Sequence, residues 1–247
     1  MLKFSLQAAF TTPKDEPAYR NEDAFASSER KGVYAISDGA SVSFDSASWS
    51  RILVRRFCQQ PAPHPAWLRD AVSEFAAGHD REKMAWMEQA AFDRGSFATL
   101  LGLRDIEDTD FVKVFAVGDT IAVFCEGTHI LHSFPYRSAD QFDNSPTLIC
   151  TNPTRNPFTL NEEFFQSRST TWDCRGVREP VIVCMTDALG QWLLRQADQG
   201  ANPVEVLNPF RTGRQFRRFV QGERRANRMR RDDATLLILR TRATAGT

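Results

Sequence analysis

Short apolar runs that end on an aspartate recur along this chain and set the expectation for its architecture. In Gly32-Val33-Tyr34-Ala35-Ile36-Ser37-Asp38, and again in Val181-Ile182-Val183-Cys184-Met185-Thr186-Asp187, β-prone residues lead straight to a carboxylate. That is the pattern of a buried strand with an acid at its tip. Between the two runs the period changes. Trp49, Ile52, Leu53, Arg56 and Phe57 fall on one stripe, which predicts a helix over 46–59 stopped by Pro61 and Pro63. Residues 66–93 read as helical again, with a break near Gly78-His79. Trp67, Ala71, Val72 and Phe75 make one stripe there and Met84, Met87, Ala91 and Phe92 the next, and both are expected to face the core.

Strands are predicted over 96–103, 111–117, 120–125 and 129–134, and their close succession through Gly- and Asp-rich turns argues for antiparallel pairing. From Pro135 to about Glu162, Asn, Pro, Thr and Ser replace any periodicity, so an irregular surface excursion is expected, a candidate substrate flap. A helix over 188–196, an arginine-rich amphipathic helix within 211–231 and a strand over 234–239 follow, then a polar tail over about 241–247. No repeat or interior linker interrupts the pattern, so one domain over 1–247 is the simplest reading.

Composition narrows the function classes. The 247 residues are 42% apolar, enough for a substantial core, and the 31 basic and 31 acidic side chains cancel. No overall field favours a nucleic acid or an anionic membrane. The arginines after Arg211, interleaved with Phe210, Phe216, Phe219 and Val220, are therefore read as the solvated face of a helix, and a nucleic-acid partner is not expected. Met1-Leu2-Lys3-Phe4-Ser5 lacks the apolar run of a signal peptide, and no stretch has the length of a membrane span; a cytoplasmic protein is expected. Cys58, Cys125, Cys150, Cys174 and Cys184 form no CxxC pair and are expected to be reduced thiols. His64, His79, His129 and His132 sit in no motif, and GxSxG, P-loop and HExxH signatures are absent.

What remains is the placement of acids. Asp23, Asp38, Asp187 and Asp232 each lie at or beside the end of a strand-like run. Gathered together they would repel one another, and a shared proton or a bound cation is the usual remedy. With oxygen ligands and no His or Cys at ligand spacing, the cation would be hard, Mg or Mn rather than Zn. Two such ions about 3.5–4 Å apart can activate a shared water against a phosphoester. The other reading is that strand-end aspartates merely cap the helices that follow, as Asp38 and Asp187 could do.

The order and wording of six segments adds to this. Arg20-Asn21-Glu22-Asp23-Ala24, Ser37-Asp38-Gly39, Gly95-Ser96-Phe97-Ala98-Thr99-Leu100, Val117-Gly118-Asp119-Thr120, Thr186-Asp187-Ala188-Leu189 and Arg231-Asp232-Asp233-Ala234-Thr235 together resemble the successive motifs of the type 2C, or PPM, Ser/Thr protein phosphatases. The resemblance reaches across nearly the whole chain. It implies an α+β fold, a four-layer α-β-β-α sandwich of two antiparallel sheets flanked by helices. It also implies two Mg or Mn ions, with a third, weaker one. Carried over residue by residue, it makes Asp38 the bridging ligand and Gly39 a ligand through its carbonyl. Glu22 and Asp23 would serve the second ion, Asp187 and Asp232 the first, and Asp119 the third. Thr99 and Thr120 would be structural. The implied substrate is a phosphorylated protein, with a Ser/Thr kinase as counterpart.

Three departures qualify what is implied. The family often has a His just after Asp-Gly, assigned as proton donor, where this chain reads Asp38-Gly39-Ala40-Ser41. Thr-Asp-Gly is here Thr186-Asp187-Ala188. The phosphate-gripping Arg usually stands several residues before the acidic pair, where this chain has Lys14; Arg20, nearer the pair, is the candidate and Lys14 the reserve. These departures keep a second function open: a type 2C-like phosphoprotein-binding regulatory module with little or no turnover.

Overall fold

The computed structural model describes residues 2–15, 21–143, 145–156 and 161–241. Twelve strands are named in chain order: β1 (Phe4–Thr12), β2 (Ala24–Ser28), β3 (Val33–Ser37), β4 (Phe97–Ala98), β5 (Leu100–Asp105), β6 (Phe111–Val117), β7 (Ile121–Glu126), β8 (His129–Phe134), β9 (Ile149–Cys150), β10 (Ser169–Asp173), β11 (Pro180–Met185) and β12 (Ala234–Thr241). The α-helices are α1 (Ser46–Gln59), α2 (Pro65–Ala77), α3 (Trp86–Arg94), α4 (Glu162–Ser167), α5 (Asp187–Asp198), α6 (Pro203–Leu207) and α7 (Gly213–Arg225).

Two five-stranded antiparallel sheets form, in the orders β1-β12-β11-β7-β8 and β10-β6-β5-β3-β2. Their facing sides bury Tyr34, Ile36, Leu101, Leu103, Phe124, Ile182, Leu237 and Leu239 in one layer. The outer side of the first sheet is covered by α5, α6 and α7 through Leu189, Trp192, Leu193, Leu207, Phe216 and Val220. On the second sheet α1 and α2 do the same through Trp49, Leu53, Phe57, Trp67 and Phe75. The result is the expected α-β-β-α sandwich. Strands of the middle layers are enclosed on both faces, which is why β11 is a continuous apolar run with all six residues buried. Each large side chain enclosed in this way contributes about 1.5–3 kcal/mol.

Two expectations change. The second stripe of 66–93 is not core: α3 buries none of its residues, and Trp86 and Met87 are 78% and 65% exposed. Only Phe92 reaches inward, into a ring cluster with Phe44 and Phe75. A nine-residue helix anchored by one aromatic leaves the rest of its stripe in solvent. The excursion after Pro135 is also more ordered than its composition suggested. A 3-10 turn, Ala139–Asp143, seats Ala139 and Phe142 in the core against α5, and β9 pairs with β4. Buried anchors spaced irregularly give no period to read. Residues 144, 157–160 and the tail 242–247 lie outside the described residues.

Candidate metal centre

Antiparallel pairing puts the start of one strand beside the end of its neighbour, and that fixes where the acids go. Ala24 pairs with Ser37, so Asp23, just before β2, and Asp38, just after β3, share one end of the second sheet. In the first sheet Met185 pairs with both Leu236 and Ile121. Asp187 after β11, Asp232 before β12 and Asp119 in the turn before β7 therefore share one end of that sheet. The two ends meet. Asp38, Gly39, Thr99, Asp119, Asp187, Arg230 and Asp232 line one open cavity of about 340 Å3.

Local packing holds each acid in place. Asp38 is gripped through its backbone: its N–H donates to Thr99 Oγ1 at 2.8 Å and its carbonyl accepts from Thr99 N–H at 2.8 Å. Thr99 Oγ1 shares a 2.6 Å hydrogen bond with Thr120 Oγ1. Asp38 caps no helix, because α1 is capped by Asp45. Gly39 forms a bridge to Ala98, and a Cβ on it would stand 2.8 Å from the Ser46 carbonyl oxygen, so this first turn beyond β3 needs glycine. Gly118 makes the turn before Asp119 at φ +99°, beside Thr99. Asp187 is the first residue of α5 and accepts from its neighbour Ala188 N–H.

Asp23 sits deeper. Its Oδ2 accepts the hydroxyls of Thr186 at 3.0 Å and Thr235 at 2.7 Å, while Oδ1 is buried with no hydrogen-bond partner among the described residues. Burial, reinforced by Asp233 and Asp232, pushes its carboxyl up to about 8. Burial likewise drives Asp38 well above the ordinary carboxylate range, with Asp23, Asp232, Asp119 and Asp233 all adding to the shift. Asp119 is raised by burial too, in part offset by Arg230. Glu22 faces a neighbouring cleft that shares Ser41 with the first cavity. Burial opposes its charge, but hydrogen bonds from Lys14, Ser41 and Ser46 outweigh this and hold it below its usual value.

Asp233, Arg224 and Arg230, which the sequence reading did not single out, complete the arrangement. Asp233 accepts the backbone N–H of Lys14 at 2.6 Å and of Glu22 at 2.7 Å, and so clamps both ends of the segment between them. Arg224 of α7 donates to the carbonyls of Pro13 and Asp232, tying the arginine-rich helix to the same end of the sheets. Arg230 pairs with Asp187. Lys14 Nζ stands 2.7 Å from Glu22 Oε2 and 3.6 Å from Asp232 Oδ1. Arg20 lies outside the described residues. The one available sequence signal for Arg230 was its position two residues before Asp232, masked by the arginine run around it.

Oxygen donors only, burial that with help from like charges raises three carboxyls, and an orphaned buried oxygen on Asp23 are what a site for hard divalent cations requires. The residues present fit such ions. Among the described residues no three His, Cys, Asp or Glu side chains stand as a ready-made ligand cage. Glu22 and Asp187 are instead engaged by the ammonium of Lys14 and the guanidinium of Arg230.

No known family profile matches the sequence, and no curated protein matches it. Solved structures do. The catalytic domain of the serine/threonine protein phosphatase PstP, in complex with two manganese ions, superposes with a TM-score of 0.62 at 14% identity, covering 98% of this chain and all of that one. The photosystem II phosphatase PBCP gives 0.61 at 14% identity over 98% of this chain and all of its own. Serine/threonine phosphatase Stp1 from Staphylococcus aureus gives 0.56 at 14% identity over 99% and 96%. The described residues have the fold of the type 2C phosphatases. Among the described residues no helix is long and apolar enough to cross a membrane.

Proposed function

We propose that this chain is a metal-dependent phosphoprotein phosphatase that hydrolyses phosphoserine and phosphothreonine. The observation that carries the proposal is the meeting of Asp38, Asp119, Asp187 and Asp232 in one cavity beside the buried, half-unpartnered carboxyl of Asp23. Such a gathering is costly without cations. Asp38 and the Gly39 carbonyl, with Asp187 and Asp232 on one side and Glu22 and Asp23 on the other, would hold two Mg or Mn ions, and Asp119 a third. When bound, those ions supply the Lewis acidity that makes water a nucleophile near neutral pH and shields the phosphoryl oxygens.

The protein's own residues have separate duties. Thr99 and Thr120 fix the Asp38 backbone, Thr186 and Thr235 orient Asp23, and Asp233 holds the segment carrying Lys14 and Glu22. The superposed structures, serine/threonine phosphatases and one of them in complex with two manganese ions, support the substrate class and the metal. A phosphorylated protein is then the substrate and a Ser/Thr kinase its counterpart. The engagement of Glu22 and Asp187 by internal cations favours a second reading, a phosphoprotein-binding module.

Hydrolysis of p-nitrophenyl phosphate and of a phosphothreonine peptide, with manganese and with chelator, separates them. Metal-dependent multiple turnovers, lost in Asp38→Ala and Asp187→Ala, are expected. Peptide binding without turnover leaves only the module, and turnover that survives both substitutions refutes the metal centre.

A further inference from the structure

Arg230 is the basic side chain inside the cavity, and its position is not explained by helix α7, which ends five residues earlier at Arg225. It lies in the loop that leads into β12, with its side chain 38% exposed and its Nη2 on Asp187 Oδ2. Among the described residues that is its one hydrogen bond, so most of the guanidinium's donor fork remains unused. Asp119, across the same cavity, also feels its charge. A planar fork is the group that recognises a phosphoryl oxygen pair, and an ammonium such as Lys14 is not. Lys14 is moreover occupied by Glu22, Ser41 and Asp232.

Resting on the phosphatase reading above, we propose that Arg230 alternates between two anions: in the metal-free chain it is the counter-ion of Asp187, and when a divalent cation takes Asp187 the freed guanidinium grips the substrate phosphoryl group. Arg230 then competes with metal and cooperates with phosphate. The two effects are linked by one thermodynamic cycle, since a cation that displaces the guanidinium raises phosphate affinity by the same factor by which phosphate raises the cation's.

The pairing of effects sets the test, with manganese and inorganic phosphate as probes in isothermal titration of the full chain. In Arg230→Gln, manganese binds about fivefold or more tightly than in the wild type, because its competitor for Asp187 is gone. The manganese-dependent gain in phosphate affinity shrinks in the same variant to what the ions alone supply. Arg230→Lys keeps a charge beside Asp187 and holds manganese affinity within about twofold of the wild type, but loses the larger part of the phosphate gain, because an ammonium cannot bind two oxygens as a fork. It carries the test if the glutamine variant does not fold. Unchanged manganese and phosphate affinities in Arg230→Gln, or wild-type phosphate affinity in Arg230→Lys, overturn this role while leaving the phosphatase reading intact. A wild-type chain that binds no manganese overturns both.

Discussion

Replacing Asp23 by asparagine removes a charge from the acid cluster with almost no change of shape. The amide oxygen can keep the hydroxyls of Thr186 and Thr235, and the amide nitrogen, a donor, replaces the oxygen that has no partner. The size of the effect follows from proton linkage. In the unfolded chain Asp23 ionises near 3.8, whereas in the fold it keeps its proton up to about 8. Below the lower value both states are protonated and there is no penalty. Between the two the fold binds a proton that the unfolded chain has released, so stability falls as pH rises, by about 1.4 kcal/mol per pH unit, and levels off above the upper value. At pH 7 the metal-free chain has thus lost about 4 kcal/mol, a loss shared with the neighbouring acids that titrate with it. Asparagine has nothing to ionise.

In chelator at pH 7, Asp23→Asn should therefore melt higher than the wild type, by roughly 10 °C if the whole effect is recovered. The gap should close toward pH 4. With manganese the gap should narrow, because the wild type gains the stabilisation of a bound ligand, about 2.7 kcal/mol at a hundred times Kd, and the variant lacks one anionic oxygen for it. Melting curves at pH 4, 5.5, 7 and 8, each in chelator and in manganese, measure all of this. A variant that melts below the wild type in chelator at pH 7 refutes the argument, as does a gap independent of pH.

Two packing predictions follow from the same region. Gly39→Ala drives a Cβ to 2.8 Å from the Ser46 carbonyl and should cost about 1–3 kcal/mol in urea unfolding, with loss of manganese binding as the turn after Asp38 shifts. Thr99→Val removes the acceptor for the Asp38 N–H and the partner of Thr120 while keeping the shape, and should cost about 1–3 kcal/mol; Thr99→Ser, which keeps the oxygen, should recover most of it.

The middle of the sandwich was legible because strands enclosed on both faces have to be continuous apolar runs. The expected boundaries of β6 and of helix α1 coincide with those in the structure, and so do those of one edge strand, β8. The other edges were not legible. In β1 a register shift between Leu6 and Ala8 breaks the alternation, and β10, Ser-Thr-Thr-Trp-Asp, buries one residue of its five. Residues 96–103 read as one strand but are split at Thr99, whose hydroxyl is committed to Asp38. At the site, strand tips gave away Asp38, Asp187 and Asp232, whereas Asp233 and Arg230 were invisible. Their partners are Lys14, Glu22 and Asp187, and that adjacency comes from the closing of β12 against β1 and β11.

The charge balance at this end of the sandwich joins these points. Glu22, Asp23, Asp38, Asp119, Asp187, Asp232 and Asp233 converge from both sheets, against Lys14, Arg224 and Arg230. The anions exceed the cations, so the metal-free site is tolerable only by keeping protons, and burial assigns them to Asp23 and Asp38. Any divalent cation entering has to displace those protons and the side chain of Arg230. On the role proposed for Arg230, metal uptake, proton release and exposure of a guanidinium for phosphate are one reaction at one place. Its affinity for metal must fall as the solution is made more acid, although no histidine takes part.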